Sequence, residues 1–376
     1  MEKKTLIEIL SSIPDIRQEA KVRHNLVDII FIAIVATLAN AEDWALMEIF
    51  ATENEEWLRK YITLPNGIPS HDTIERAFKW IDPKMFLKSF TEWTEMVSEI
   101  TKCGVVAIDG KTMRGTHDKI NGKKALHIVS AWFSETGLVL GQVKTSEKSN
   151  EITAIPELLS IIDVTGCVVT IDAMGTQKDI AAKIIEKKAD YVLALKGNQK
   201  LLHEDIIEFF KKNDDKNFSA EYNIQKYSEK DQGHGRIESR SYYISSRIDW
   251  LESREEWKQL NSIGMVVYTR EENGEKKTEK RYYLCSIGDD AKKFAYAVRK
   301  HWGIESMHWS LDVSFNEDSK RTRKDNSPEN LSLLHKFAYN ILKLDKNEKK
   351  SLRARRYKAG VSRKYLEKVI ALISEK

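Results

Sequence analysis

The chain has 376 residues, 41% of them hydrophobic and 31% charged, enough for two or three domains and too apolar for a disordered or fibrous chain. Lysine and arginine number 61 against 57 aspartates and glutamates, a formal net charge of +4, so the chain is not basic throughout and any polyanion-binding surface must be local. Cys103, Cys167 and Cys285 lie far apart with no CxxC pair, which argues against a disulfide framework or a cysteine zinc cluster and predicts a reducing, cytoplasmic setting.

In the opening MEKKTLIEILSSIPDIRQ, acidic residues and a proline break up the apolar core that a secretory signal needs, so no export is expected. The most apolar run, Ile29 to Ala39, is eleven residues long where a spanning helix needs about 20. It predicts a buried helix, and no membrane association. Apolar residues at three and four spacing predict helices throughout the first unit, 1–98. Its punctuation is LPNGIPS, Leu64 to Ser70, with Ser70 as a candidate cap for HDTIERAF. That segment reads either as the second helix of a helix-turn-helix or as an ordinary bundle corner.

The pattern changes at Gly104. GVVAID, LHIVSAWF and LVLGQVK predict a three-stranded meander, followed by helix 154–162, strand CVVTID, helix 177–187, strand DYVLAL and helix 201–211. The second unit, 99–213, is therefore a mixed five-stranded sheet covered by helices, an α+β class. Residues 214–290 read as a β-rich insertion with strands at 242–246, 262–268 and 281–287. Helical periodicity returns over 291–345 and again in a basic segment, 346–376.

Asp109 and Asp172 each end an apolar run of one design, VVAIDG and VVTIDA, and ligands gather beyond the carboxyl ends of strands in open α/β sheets. Paired carboxylates there suit a hard divalent cation such as Mg²⁺. A bland alternative has each aspartate capping a turn. In HWGIESMHWSLDVSFNED, His301, Glu305, His308 and Asp312 share a helix face, which offers Glu305 as a third carboxylate. Zinc is a rival there, though no cysteine or histidine cluster completes a tetrahedral site. Three carboxylates and two cations support in-line phosphoryl transfer without a protein nucleophile. From Lys343 to Lys368, eleven lysines and arginines face three acids, an excess of +8, and Lys320, Arg321, Arg323 and Lys324 form a shorter basic run. Such clusters are either solvated helix faces or phosphate-backbone contacts.

VVAIDGKTMRG (105–115), VVTIDAMGTQKDIA (168–181), YVLALKGNQ (191–199) and HWGIESMHWSLDVSFNED (301–318) closely resemble the H-repeat-associated branch of the DDE insertion-sequence transposases. The helical start, with its D-x-R at Asp15 to Arg17 and LPNGIPSHDTIERAF, resembles that family's associated domain. The resemblance runs over approximately 6–370. It implies a ribonuclease-H-like core with a β insertion, and Asp109, Asp172 and Glu305 as both catalytic residues and metal ligands. It implies Mg²⁺, with Mn²⁺ as a substitute, as a pair of ions. The implied partners are double-stranded DNA, both terminal repeats and target, in a homo-oligomeric complex. Related transposases carry a tyrosine, arginine, glutamate and lysine signature, but here Val298, His301 and Asp312 stand at the flanking positions. Phosphate contacts are therefore expected elsewhere: Lys111, Arg114, Lys196, Asn198, Gln199, His301, Lys320, Arg321, Arg323, Arg353, Arg355 and Arg356 are the candidates. The implied reaction is cleavage at transposon ends followed by 3′-hydroxyl strand transfer. A nuclease that cuts without joining and an inactive, domesticated DNA-binding protein are the alternatives.

Overall fold

The computed structural model describes residues 4–18, 20, 22–98, 104–118, 122, 124–145, 151–214, 223–233 and 236–374. Cys103 lies outside them, and Cys167 and Cys285 are buried free thiols. Six helices come first: α1 (Leu6–Leu10), α2 (Leu26–Leu38), α3 (Trp44–Glu53), α4 (Glu55–Leu58), α5 (His71–Trp80) and α6 (Pro83–Val97). Helix α2 is apolar on every side, and all but one of its residues are buried, so it threads the centre of the helical body. Helix α5 starts where expected: Ser70 accepts a hydrogen bond from the Thr73 amide, and Ile74, Ala77 and Phe78 form the buried stripe.

Among the described residues nine strands follow, β1 (Val105–Met113), β2 (Leu126–Phe133), β3 (Leu138–Lys144), β4 (Val168–Ile171), β5 (Asp190–Leu195), β6 (Gln225–Gly233), β7 (Arg236–Ser245), β8 (Ser262–Glu272) and β9 (Glu275–Cys285). They form one sheet in the order β3-β2-β1-β4-β5-β9-β8-β7-β6. Strands β1, β4 and β5 are parallel, and β2 and β3 are the expected meander. The interleaved helices are α7 (Glu151–Ile161), α8 (Lys178–Glu186) and α9 (Lys200–Asp214).

The β-rich stretch does not make a sheet of its own. Strand β9 pairs antiparallel with β5, Val192 opposite Cys285 and Leu195 opposite Tyr282, so the insertion prolongs the core sheet. The physical reason is that β5 is apolar on both faces and would otherwise leave a greasy, unpaired edge. Strand β6, QKYSEKDQG, was not expected; it is a polar outer strand whose sequence lacks an apolar alternation. The β8–β9 hairpin turns at Asn273 and Gly274, both at positive φ (53° and 81°), as a two-residue hairpin turn requires.

Among the described residues five further helices follow: α10 (Ala291–His301), α11 (Gly303–Phe315), α12 (Ser327–Leu344), α13 (Leu352–Val361) and α14 (Arg363–Ser374). One face of the sheet, with Val106, Ile108, Val169 and Ile171, packs in one core with Ile155 and Leu158 of α7 and Ile180 and Ile184 of α8. On the other face Val105, Val168 and Val192 meet Phe294 and Val298 of α10. Helices α11 to α14 share a single core with α1 to α6, and Phe337 of α12 sits among Phe86, Phe90 and Trp93 at ring separations of 4.8–5.4 Å. Together the nine-stranded mixed sheet and its flanking helices form the expected ribonuclease-H-like fold preceded by helices.

Candidate metal centre

Strand register alone brings the two aspartates together. The parallel pairing of β1 with β4 ends at Ile108 opposite Ile171, so Asp109 and Asp172 occupy the next, equivalent position on neighbouring strands. The expectation that both stand at strand ends is half met. β4 stops before Asp172, but β1 continues to Met113 and pairs Asp109 with Ser130 of β2. Asp109 thus lies where β1 loses its neighbour on one side and keeps it on the other, which opens a notch beside it.

Each aspartate has fixed geometry. Asp172 Oδ1 accepts the amides of Met174 (3.0 Å) and Gly175 (3.3 Å), a turn that holds the carboxylate in place, so the capping role and the inward-facing role coexist. Asp109 Oδ2 lies 3.5 Å from His308 Nδ1 of α11. His301 of α10, largely buried, makes a 2.9 Å hydrogen bond through Nδ1 to Thr170 of β4, and burial holds its pKa below the ordinary histidine value. Gly303 lets the α10–α11 junction press onto Trp132, whose ring lies 2.2 Å from where a Cβ would be. That contact aims Glu305 at the same cleft, a cavity of about 410 Å³ lined by Asp109, Asp172, His301 and Glu305.

Among the described residues, Asp109, Asp172 and Glu151 each bring one carboxylate oxygen within 4.8 Å of the others; Glu305 lines the same cleft but stands outside that trio. Glu151 opens helix α7, and the sequence reading passed over it because no apolar strand end announces it. Like charges this close cost on the order of 3 kcal/mol per pair at an effective dielectric near 20. Correspondingly, burial, followed by the charges of Glu151 and Asp109, pushes Asp172 above the usual carboxylate range. Burial and Asp109 also raise Glu305. Among the described residues no lysine or arginine forms an ion pair with Asp109, Asp172 or Glu151. A trio of clustered oxygen donors lacking a protein cation fits a hard divalent metal.

The basic candidates separate into distinct groups. Lys196 is exposed and lines the cleft, joined there by Lys280 and Arg281 of β9, which sequence reasoning missed because they sit in the insertion. Asn198 and Gln199 turn their amides inward, onto the carbonyls of Ala173 and Thr176, and hold the Asp172 turn. Arg114, Arg321 and Arg353 are exposed; Arg323 leans on the Gly115 carbonyl. Lys111 does not face the cleft's solvent: its ammonium binds Asp312 (2.6 Å), Glu317 (2.8 Å) and Asp318 (3.3 Å). Burial would lower its pKa, but the charge of Glu317 and the bonds to Asp312 and Glu317 raise it well above the ordinary lysine value. Lys320 is tied to Glu42, and Arg355 donates to the carbonyls of Leu342, Asp345, Glu348 and Lys350. Arg356 is buried outright. It stacks over Phe315 and donates to the carbonyls of Thr37 and Ser314, so its guanidinium is spent inside the protein and the DNA contact expected of it gives way to a structural one.

Comparison with known proteins agrees with this arrangement. A family described as "Transposase DDE domain" matches residues 102–341, and one described as "DDE_Tnp_1-associated" matches residues 7–94. The chain is 45% identical over its whole length, and over 96% of the relative, to "Putative transposase YncI" of Escherichia coli O157:H7. It is 42% identical, over 99% of both chains, to "H repeat-associated putative transposase YhhI" of Escherichia coli strain K12. A solved piggyBac transposase synaptic complex with hairpin DNA is a distant likeness, with a TM-score of 0.46 and 14% identity over 99% of this chain and 82% of that one. No helix among the described residues is long and apolar enough to cross a membrane. With an associated helical region, a DDE domain on a ribonuclease-H-like sheet, and a carboxylate cluster suited to metal where the β1–β4 pairing ends, the chain belongs to the H-repeat-associated DDE transposases, a family of metal-dependent phosphoryl-transfer enzymes.

Proposed function

We propose that the protein is the transposase of an insertion sequence, cleaving DNA at the element's ends and joining the freed 3′-hydroxyl to target DNA. The observation that carries this reading is the convergence of Asp109, Asp172 and Glu305 on one cleft whose rim holds Lys196, Lys280 and Arg281. Asp109, Asp172 and Glu305 are the catalytic carboxylates and would hold a pair of Mg²⁺ ions, Mn²⁺ substituting. When bound, such ions activate the attacking oxygen and stabilise the leaving oxygen of an in-line displacement. The protein's own part is to preorganise the acceptors: Asp172 through its turn, Asp109 through β2 pairing, and Glu305 through the Gly303–Trp132 contact. Lys196 and Lys280 on the rim draw phosphates toward an otherwise negative floor, while Arg281, stacked over Trp302, is held by the Glu279 carboxylate beside them. Cleavage by water and attack by a 3′-hydroxyl are both in-line transfers, so one site serves both. Exposed cations such as Arg114, Arg321 and Arg353 and the helices around α5 would grip double-stranded DNA outside the cleft, with a homo-oligomer holding two ends.

The test supplies DNA spanning the element's ends, a precleaved 3′-hydroxyl substrate, and target DNA with Mg²⁺. Joined products are expected. Hydrolysis without joining would indicate a nuclease instead, and no metal-dependent product at all would leave the DNA-binding reading. In D172N or E305Q product formation should fall by about 10²-fold or more, the scale of removing one preorganised electrostatic group.

A further inference from the structure

Asp109 and Glu305 line the cleft from different elements, β1 and α11, so their separation depends on how the helix lies along the strand. Two polar contacts fix that lie. His308 Nδ1 of α11 sits 3.5 Å from Asp109 Oδ2, and Asp312 Oδ1 sits 2.6 Å from the Lys111 ammonium. Asp109 and Lys111 share one face of β1 by strand alternation, and His308 and Asp312 share one face of α11 at four-residue spacing. Two strand residues rise about 6.6 Å and four helical residues about 6.0 Å, so the contacts are rungs of one ladder in which helix and strand run the same way. An apolar rung precedes them: Ala107 lies in one core with Ile304 and Met307. Glu305, between that rung and His308, is thereby held level with Asp109.

The far rung is the more firmly built. Lys111, only 12% exposed, also binds Glu317 (2.8 Å) and Asp318 (3.3 Å), which belong to the turn that leaves α11. Glu317 in turn accepts from the Ser332 hydroxyl of α12. One lysine of β1 thus holds the end of the helix that carries Glu305. The bland account of such a network is stability, yet apolar residues of similar volume often serve that purpose as well or better than buried ions. What charge adds is register. If α11 slid by one turn, Asp312 would lie directly against Asp109; one turn the other way, Glu305 would do so, and His308 would replace Asp312 beside Lys111. Each alternative opposes like charges or leaves Lys111 without Asp312, so the pattern of charge favours one position of the helix.

Resting on the catalytic reading of Glu305 above, we propose that Lys111 is a positioning residue for phosphoryl transfer: through Asp312 it locks α11 along β1 and so sets the separation of Glu305 from Asp109. Asp109 and Asp172 need no such device, because the β1–β4 pairing already places them side by side. Lys111 then acts on the glutamate alone, and without touching DNA.

The experiment gives the full chain a precleaved 3′-hydroxyl end, target DNA and Mg²⁺, and separately titrates Mn²⁺ without DNA, following the free ion by electron paramagnetic resonance. In D312N and K111M the kcat of joining is expected to fall about tenfold or more, the scale of a small misplacement of a reacting group, with KM for the DNA unchanged. K111R, which keeps the charge, should recover part of the K111M loss. In the titration both variants should weaken the ion that E305Q weakens, by about 10–100-fold, as partners that orient a ligand do, and leave any ion that E305Q retains at wild-type affinity. The double variant K111M/D312N should lose no more than K111M, since the two residues act as one unit. If K111M fails to fold, D312N carries the test, because Lys111 keeps Glu317 and Asp318 there. Wild-type kcat and Mn²⁺ binding in D312N and K111M, with both reduced in E305Q, overturn the positioning role and leave the catalytic reading standing. Weaker DNA binding with a shallower salt dependence in K111M, at unchanged kcat, also overturns it and makes Lys111 a phosphate contact. Wild-type values in E305Q as well overturn the role of Glu305 itself.

Discussion

Asp172 has opposite effects on stability and on metal binding. Its folded-state pKa lies above the unfolded value, chiefly through burial, so its contribution is stabilising at low pH and is lost as pH rises through the folded value. At pH 7 the ionised group therefore works against folding of the metal-free protein. D172N is expected to raise the metal-free melting temperature by a few degrees, since about 1 kcal/mol shifts a domain this large by roughly 2–4 °C. The same variant should lose the further rise that Mg²⁺ gives the wild type; a thermal melt with and without Mg²⁺ checks both. Sequence made Asp109 and Asp172 readable because each follows a four-residue run of nearly the same wording, VVAI and VVTI. Glu151 could not be read that way, as its position depends on Gly110 of β1, where a Cβ would meet its carboxylate, and on His127 of β2. Periodicity records burial, and says nothing of which loop end turns inward.

At the scale of elements, α12 and α13 show how a basic or polar run can be structural. Glu317, buried, accepts from Lys111 and Ser332 and has Lys336 and His335 close by; burial would raise its pKa, but the charge of Lys336 leads a set of neighbours that hold it well below the carboxylate range. Burial holds His335 down to about 4. Both groups lose stabilising influence as pH falls: His335 through the window from its unfolded value near 6.5 to about 4, Glu317 below its ordinary carboxylate value. Denaturant unfolding from pH 7 to pH 4 should show a steep decline, on the order of 3 kcal/mol from the histidine alone, and H335Q should flatten it. In α13 the run SLRARRYK is split by packing against α11 and α2. R356A should cost about 2–4 kcal/mol, leaving the Thr37 and Ser314 carbonyls unpaired, with the DNA affinity of the folded protein unchanged. R353A, on the exposed side, should leave stability alone and weaken DNA binding, with a shallower salt dependence. Circular dichroism melts and fluorescence anisotropy separate the two. A count of positive charge could not distinguish these arginines, because at three-residue spacing they share a helix face and only the packing of α13 on α11 and α2 buries Arg356 while Arg353, in the first turn, stays exposed.

Over the whole molecule, the sequence told which stretches are helical and which are sheet, and the resemblance supplied the core; how the pieces join was hidden. Strand β6 was masked by its polarity, and the pairing of β9 with β5 joins residues some ninety positions apart, beyond any local pattern. Helices that read as separate leading and trailing units share one core. Calorimetry should therefore give cooperative unfolding in which α1–α6 and α11–α14 melt together, and residues 1–98 expressed alone should lack a stable fold. A well-dispersed spectrum from that fragment would contradict the shared core.

Helix α1 touches α14, so the first and last of these helices close on each other after the entire sheet has been made between them. During synthesis α2, apolar on every side, must wait for α12 and α13 to be translated before it is fully covered. A ribosome that stops early releases a chain with that surface bare, marked for aggregation or proteolysis. A chain lacking α12 and α13 would therefore expose the apolar surface of α2 and would not persist as a folded species.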